Sequence, residues 1–135
     1  MRRVLVAKRF PFAVQSRPVR TLDALSPVGY AGGVEYTVIR SDRFSRWLRE
    51  LRDRRARAQI AVRIDRVAEG NFGDHRSVGG GVSELRVPTG PGYRVYYTIR
   101  RRTVVVLLCG GDKARQQRDI ELAQRMAREL EGELA

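Results

Sequence analysis

Three strand-forming runs follow one another between Val82 and Cys109, VSELRV, YRVYYTI and TVVVLLC, with only PTGPG and a short arginine turn between them. Connections of that length admit antiparallel hairpins, so these runs predict three neighbouring strands of one sheet. The third run is apolar on both faces, which predicts a central strand covered on both sides. Any fold for this chain has to be built around that unit.

The flanking segments read as helices. VEYTVIR, from Val34, alternates like a short strand. Ser41 or Asp42 can cap a helix whose inner stripe is Phe44, Trp47, Leu48 and Leu51. A second helix turns Ile60, Ile64, Val67 and Ala68 inward and stops at Gly70-Asn71. NFGDHRSVGGG reads as loop. The last helix spans Ala114 to Leu130, with Ile120, Ala123, Met126, Ala127 and Leu130 inward. The expected fold is α+β, in the order β-α-α-β-β-β-α, with an antiparallel sheet packed with helices.

Residues 1–33 differ from the rest. They hold six basic residues, one acid, Pro11, Pro18 and Pro27, and a closing Gly-Gly, with no sustained period. A compact element is not expected there. The segment resembles a disordered basic arm, an Arg-rich transit peptide or a misplaced start, since Val34 could be a GTG start codon. The expected domain is therefore 34–135, with 1–33 an extension.

The chain carries 27 Lys and Arg against 15 Asp and Glu, for a net charge of +12 over 135 residues. GC-rich codon usage explains arginine over lysine but not the excess of base over acid. That excess points to a polyanionic partner such as nucleic acid. One cysteine and one histidine exclude a disulfide framework and leave too few ligands for the usual zinc sites. No cofactor is expected. No apolar run approaches the roughly 18 residues needed to span a bilayer, so no membrane role is expected and a cytoplasmic protein is.

Chemistry concentrates on the first hairpin. If its turn is symmetric about Gly90, Arg86 lies opposite Arg94 and Glu84 opposite Tyr96, all on one face. Leu85, Val87, Tyr93, Val95 and Tyr97 then form the core face. Such a set suits RNA cleavage. Glu84 could accept the ribose 2′-OH proton, Arg86 and Arg94 could clamp the phosphate, and Tyr96 or His75 could protonate the leaving oxygen. His75 lies in a loop, and an imidazole is the side chain best suited to transfer protons near neutrality. The same residues are equally an ordinary solvated strand face, with cross-strand pairs worth about 1 kcal/mol or less each.

The stretch LLCGGDKARQQRDI runs a strand into Gly-Gly and then into a helix. Glycines serve where backbone turns sharply or approaches something closely. Lys113 and Arg115, with Arg76 from the upstream loop, are candidate RNA contacts at the edge of the arginine face. Asp112 reads as a helix N-cap. The stretch lacks the GxxxxGK[ST] pattern of a P-loop.

The strand pair SELRV…GYRVYYTI followed by VVVLLCGGDKARQQRDIELAQ resembles the RelE/ParE superfamily of bacterial toxins, in particular the HigB-like addiction module killer branch. The similarity runs from about Val34 to Leu130. It implies a small RelE-like fold and a ribosome-dependent mRNA endonuclease, the toxin of a type II toxin–antitoxin module. It also implies a helix-turn-helix antitoxin that neutralises the toxin in a hetero-oligomer. Arg86 and Arg94 match the family's strand arginines, and Lys113 its basic residue at the strand-to-helix junction. Two features depart. Val82 and Glu84 stand where RelE has lysines, and Asp119 or Ile120 where an aromatic is expected. A ParE-like gyrase inhibitor without nuclease chemistry and an inactive RNA-binding remnant are the alternative functions.

Overall fold

The structure, a computed structural model, describes residues 12–15 and 34–134. Strands β1 (Phe12–Gln15) and β2 (Thr37–Ser41) precede helices α1 (Asp42–Glu50) and α2 (Arg54–Ala68). Then come β3 (His75–Gly79), β4 (Val82–Val87), β5 (Tyr93–Arg100) and β6 (Val104–Asp112). A single 3-10 turn, Lys113–Arg115, leads into α3 (Gln116–Leu134). The mixed α+β class and the hairpin-linked run β4-β5-β6 are as the sequence predicts.

Two strands are additions to the predicted order. His75–Gly79 pairs antiparallel with β4, although HRSVG lacks the apolar alternation that marks a strand. Phe12–Gln15 pairs antiparallel with β2, where no compact element was expected. The readings of residues 1–33 as an arm, a leader or a misplaced start otherwise lie outside the described residues.

The six strands run in the order β1-β2-β6-β5-β4-β3. The pair β2–β6 is parallel, from Thr37↔Val104 to Arg40↔Leu107, and the other pairs are antiparallel. β6 is therefore central, as its doubly apolar pattern predicts. One face of the sheet packs Leu85, Val95, Val105 and Leu107 against Phe44, Ile60 and Ile64 of α1 and α2. The opposite face packs Val82, Tyr96, Val106 and Leu108 against Ala123, Ala127 and Leu130 of α3.

Helices α1 and α2 start where the sequence provides a cap. The Ser41 hydroxyl accepts from Phe44 N at 2.9 Å and donates to the Leu108 carbonyl at 2.7 Å, so it both starts α1 and ties β2 to β6 past the end of their ladder. The Asp53 carboxylate accepts from Ala56 N at the start of α2. At the end of α2, Gly70 has φ +95, and a side chain there would also meet the Val34 carbonyl. No helix among the described residues is long and apolar enough to cross a membrane.

Candidate functional site

The β4–β5 register is the one inferred from the turn. Glu84 pairs with Tyr96 and Arg86 with Arg94. All four side chains lie on the face that α3 crosses, and Arg76 joins them because it pairs with Glu84 from β3. This face is not an open platform. Gln116, at the start of α3, donates to Glu84 Oε1 at 3.1 Å, and Gln124 donates to the Val78 carbonyl at 3.2 Å. The helix is thereby fastened over the middle of the face.

Burial reassigns two of the predicted catalytic residues. Glu84 and Tyr96 are both 0% exposed. Arg76 Nε donates to Glu84 Oε2 at 3.1 Å, and Arg94 Nε lies 3.8 Å from Oε1. A base with both oxygens engaged beneath a helix cannot meet a ribose hydroxyl, so Glu84 is an anchor for the arginines instead. Tyr96 is sealed beside it. Burial, and then the charges of Glu84 and Asp119, push its phenol well above the usual tyrosine range, with Arg94 opposing. It stays protonated and out of reach of a leaving group.

His75 faces the other way. It pairs with Leu85 of the α1/α2 face, and its ring lies 5.7 Å from that of Phe72. Its Nδ1 is 2.8 Å from the Gly73 carbonyl. The sheet therefore separates His75 from Arg86 and Arg94.

Arg86 and Arg94 do come together, directly opposite one another. Like charges at such positions repel, and each guanidinium has a carboxylate to offset this. Arg86 Nη2 donates to Asp74 Oδ1 at 3.0 Å, and Arg94 adjoins Glu84. Arg63 holds the segment that carries Asp74, donating to the carbonyls of Arg86, Phe72 and Asp74. Lys113 is exposed at the same end of the sheet, its N–H bonded to the Gly92 carbonyl at 2.9 Å. The outcome is a row of cations in which Arg76, Arg86 and Lys113 are accessible and Arg94 is largely covered, its side chain 12% exposed. Such a row can bind phosphates with paired N–H donors.

Arg115 points elsewhere. With Arg43 and Arg46 of α1 it lines a crevice of about 440 Å³ between α1 and α3. Cys109 to Asp112 form part of the lining, with Trp47, Glu50, Asp119 and Leu122. The Gly110-Gly111 pair is explained here. A methyl at Gly110 would run into the Trp47 ring on one face, and one at Gly111 into the Asp119 carboxylate on the other. Asp112 caps the following turn as expected, accepting from Ala114 N at 3.0 Å. The Cys109 thiol is pushed up to about 12, by burial and then by Asp119, so it is not a nucleophile at neutral pH.

Sequence reasoning did not single out Arg43, Arg46 or Asp119 as functional. The usable signal was Gly-Gly at the end of a central strand, which announces two close approaches from opposite sides.

The model of the family "Phage derived protein Gp49-like (DUF891)" matches residues 46–128. An uncharacterized protein of Haemophilus influenzae is 49% identical over 87 residues, covering 64% of this chain and 88% of the relative. No solved structure matches. These findings correct the resemblance to RelE/ParE and HigB-like toxins, because the family model that matches is a different one.

Proposed function

The chain belongs to the Gp49-like family of phage-derived proteins, and from its site geometry we propose that it binds RNA on the arginine rim and cuts translated messenger RNA. In this reading it is a toxin neutralised by a partner antitoxin. The observation that carries the reading is the buried Glu84 carboxylate, which holds Arg76 at 3.1 Å and sits 3.8 Å from Arg94. A buried anchor positions guanidiniums before ligand arrives, and pre-positioned donors stabilise charge that develops in a transition state.

In the proposed reaction the ribose 2′ oxygen attacks the adjacent phosphorus and the P–O5′ bond breaks, leaving a 2′,3′-cyclic phosphate and a 5′ hydroxyl. Arg86 and Arg94 neutralise the charge gathering on the phosphoryl oxygens. Neither Glu84 nor Tyr96 is accessible for proton transfer. The protons therefore pass to groups outside this face, which supports cutting on the ribosome, where RNA is already oriented, over cutting free RNA. The protein would act in the cytoplasm without a cofactor. A helix-turn-helix antitoxin with an acidic segment fits the partner role, because such a segment could cover the basic rim.

The test is induction of the full chain in a bacterium while mRNA 5′ ends are mapped. New ends within translated frames, lost when translation is blocked, are expected. Arg94→Ala should remove them without changing the circular dichroism spectrum. Growth arrest with intact mRNA would overturn the nuclease reading in favour of another target such as gyrase. No arrest by a folded protein would leave an inactive RNA binder.

A further inference from the structure

The crevice between α1 and α3 lies where the one parallel strand pair comes apart. β2 and β6 run side by side as far as Arg40↔Leu107. The chain then leaves β2 as α1 onto one face, and leaves β6 as α3 onto the other. In α/β sheets, a crevice at the carboxyl ends of two such strands is where ligands bind, because their following helices open away from each other.

The lining shows what could enter. Arg43, Arg46 and Arg115 are exposed on its walls, and no carboxylate among the described residues pairs with them. Asp119 is only 8% exposed, and its Oδ2 is buried with no hydrogen-bond partner. An unpaired buried acceptor is costly, and a donor from a ligand relieves that cost. Glu50 and Asp112 share the lining, which disfavours a bare polyanion. A ligand with both a phosphate and N–H donors suits this mixture. Trp47 lines the α1 side of the crevice and is partly exposed, an aromatic surface that a base could meet.

We propose that this crevice receives one unpaired nucleotide of the RNA strand, with its phosphate on Arg43, Arg46 and Arg115 and an amino group of its base donating to Asp119. The proposal rests on the RNA reading above and adds a base-selective subsite away from the arginine rim. Cytosine, adenine and guanine present an amino group, and uracil does not. Carboxylates accept from cytosine N4 in known readout chemistry.

The test is fluorescence anisotropy of the full chain with hexamers of cytidylate and of uridylate, and with cytidine monophosphate alone. The C hexamer should bind about tenfold tighter than the U hexamer, the size of one good base contact. Asp119→Ala, which removes the acceptor, should bring the two within about twofold, whereas Arg94→Ala should weaken both equally. Equal affinities in the wild type, or a preference that survives Asp119→Ala in a folded protein, would overturn the subsite. Monophosphate binding as tight as the hexamer would overturn the strand as its source. Should Asp119→Ala unfold, Arg46→Ala at its exposed position decides instead, and an unchanged C-hexamer affinity would sink the proposal. Failure of every oligomer to bind would remove the RNA reading itself, and the subsite with it.

Discussion

A methyl added at Gly111 would occupy the place of the Asp119 carboxylate, and one at Gly110 would displace the Trp47 ring. Gly110→Ala should therefore cost about 1–3 kcal/mol, the usual range for overpacking, read from chemical denaturation. Asp119 makes a separate, pH-dependent contribution. Burial raises its carboxyl above the ordinary range, Arg115 opposes that, Asp112 adds to it, and Arg118 and Arg43 oppose it further. A raised acid contributes stability that is fully present below its unfolded value and is lost as pH rises through its folded value. Asp119→Asn should accordingly raise the melting temperature at neutral pH, with the difference shrinking as pH falls into the carboxylate range. A difference independent of pH would mean that Asp119 is ionised at ordinary values. Glu84→Gln separates anchor from base. As an anchor, Glu84 replaced by glutamine should leave measurable activity with looser RNA binding, whereas complete loss of cutting at unchanged affinity would restore its role as a base.

The β5–β6 hairpin turns through Arg101 and Arg102, both with left-handed φ of 53 and 69. L-residues pay roughly 1–2 kcal/mol for that region, which Asn and Gly tolerate better. The pair Arg101→Asn with Arg102→Gly should raise stability by about 1 kcal/mol by thermal denaturation. The hairpins themselves were legible in the sequence, because short connections leave one topology and the Glu84–Tyr96 register follows from turn length. β3 was not, because Arg76 and Ser77 are polar and Gly79 to Gly81 read as turn. Its strand character comes from pairing with β4, which local pattern does not carry. The cover over Glu84 was equally hidden. Gln116 reaches it across 32 residues of sequence, and nothing in QQRD announces that contact. Burial of the arginine face is thus a tertiary property, while the arginines' alignment is a local one.

For the whole molecule the charge sets the terms of binding. A +12 chain releases counterions when it meets RNA, so log affinity should fall with log salt, by about 0.7 per phosphate neutralised on a single strand. Removing Arg86 or Arg94 should reduce that slope by close to one such step, whereas Asp119→Asn should leave it unchanged. The fold class could be read from the sequence because it depends on pattern. The crevice could not, because it depends on β2 meeting β6 in parallel, a pairing between segments some 67 positions apart. That pairing also governs how the protein is born. The strand at the centre of the sheet is among the last to be synthesised, so the inner edge of β2, the one not paired with β1, waits for its partner until nearly the whole chain has left the ribosome tunnel. A nascent chain stalled before Val104 carries two bare strand edges and no assembled binding face. Until release it is exposed to aggregation through those edges.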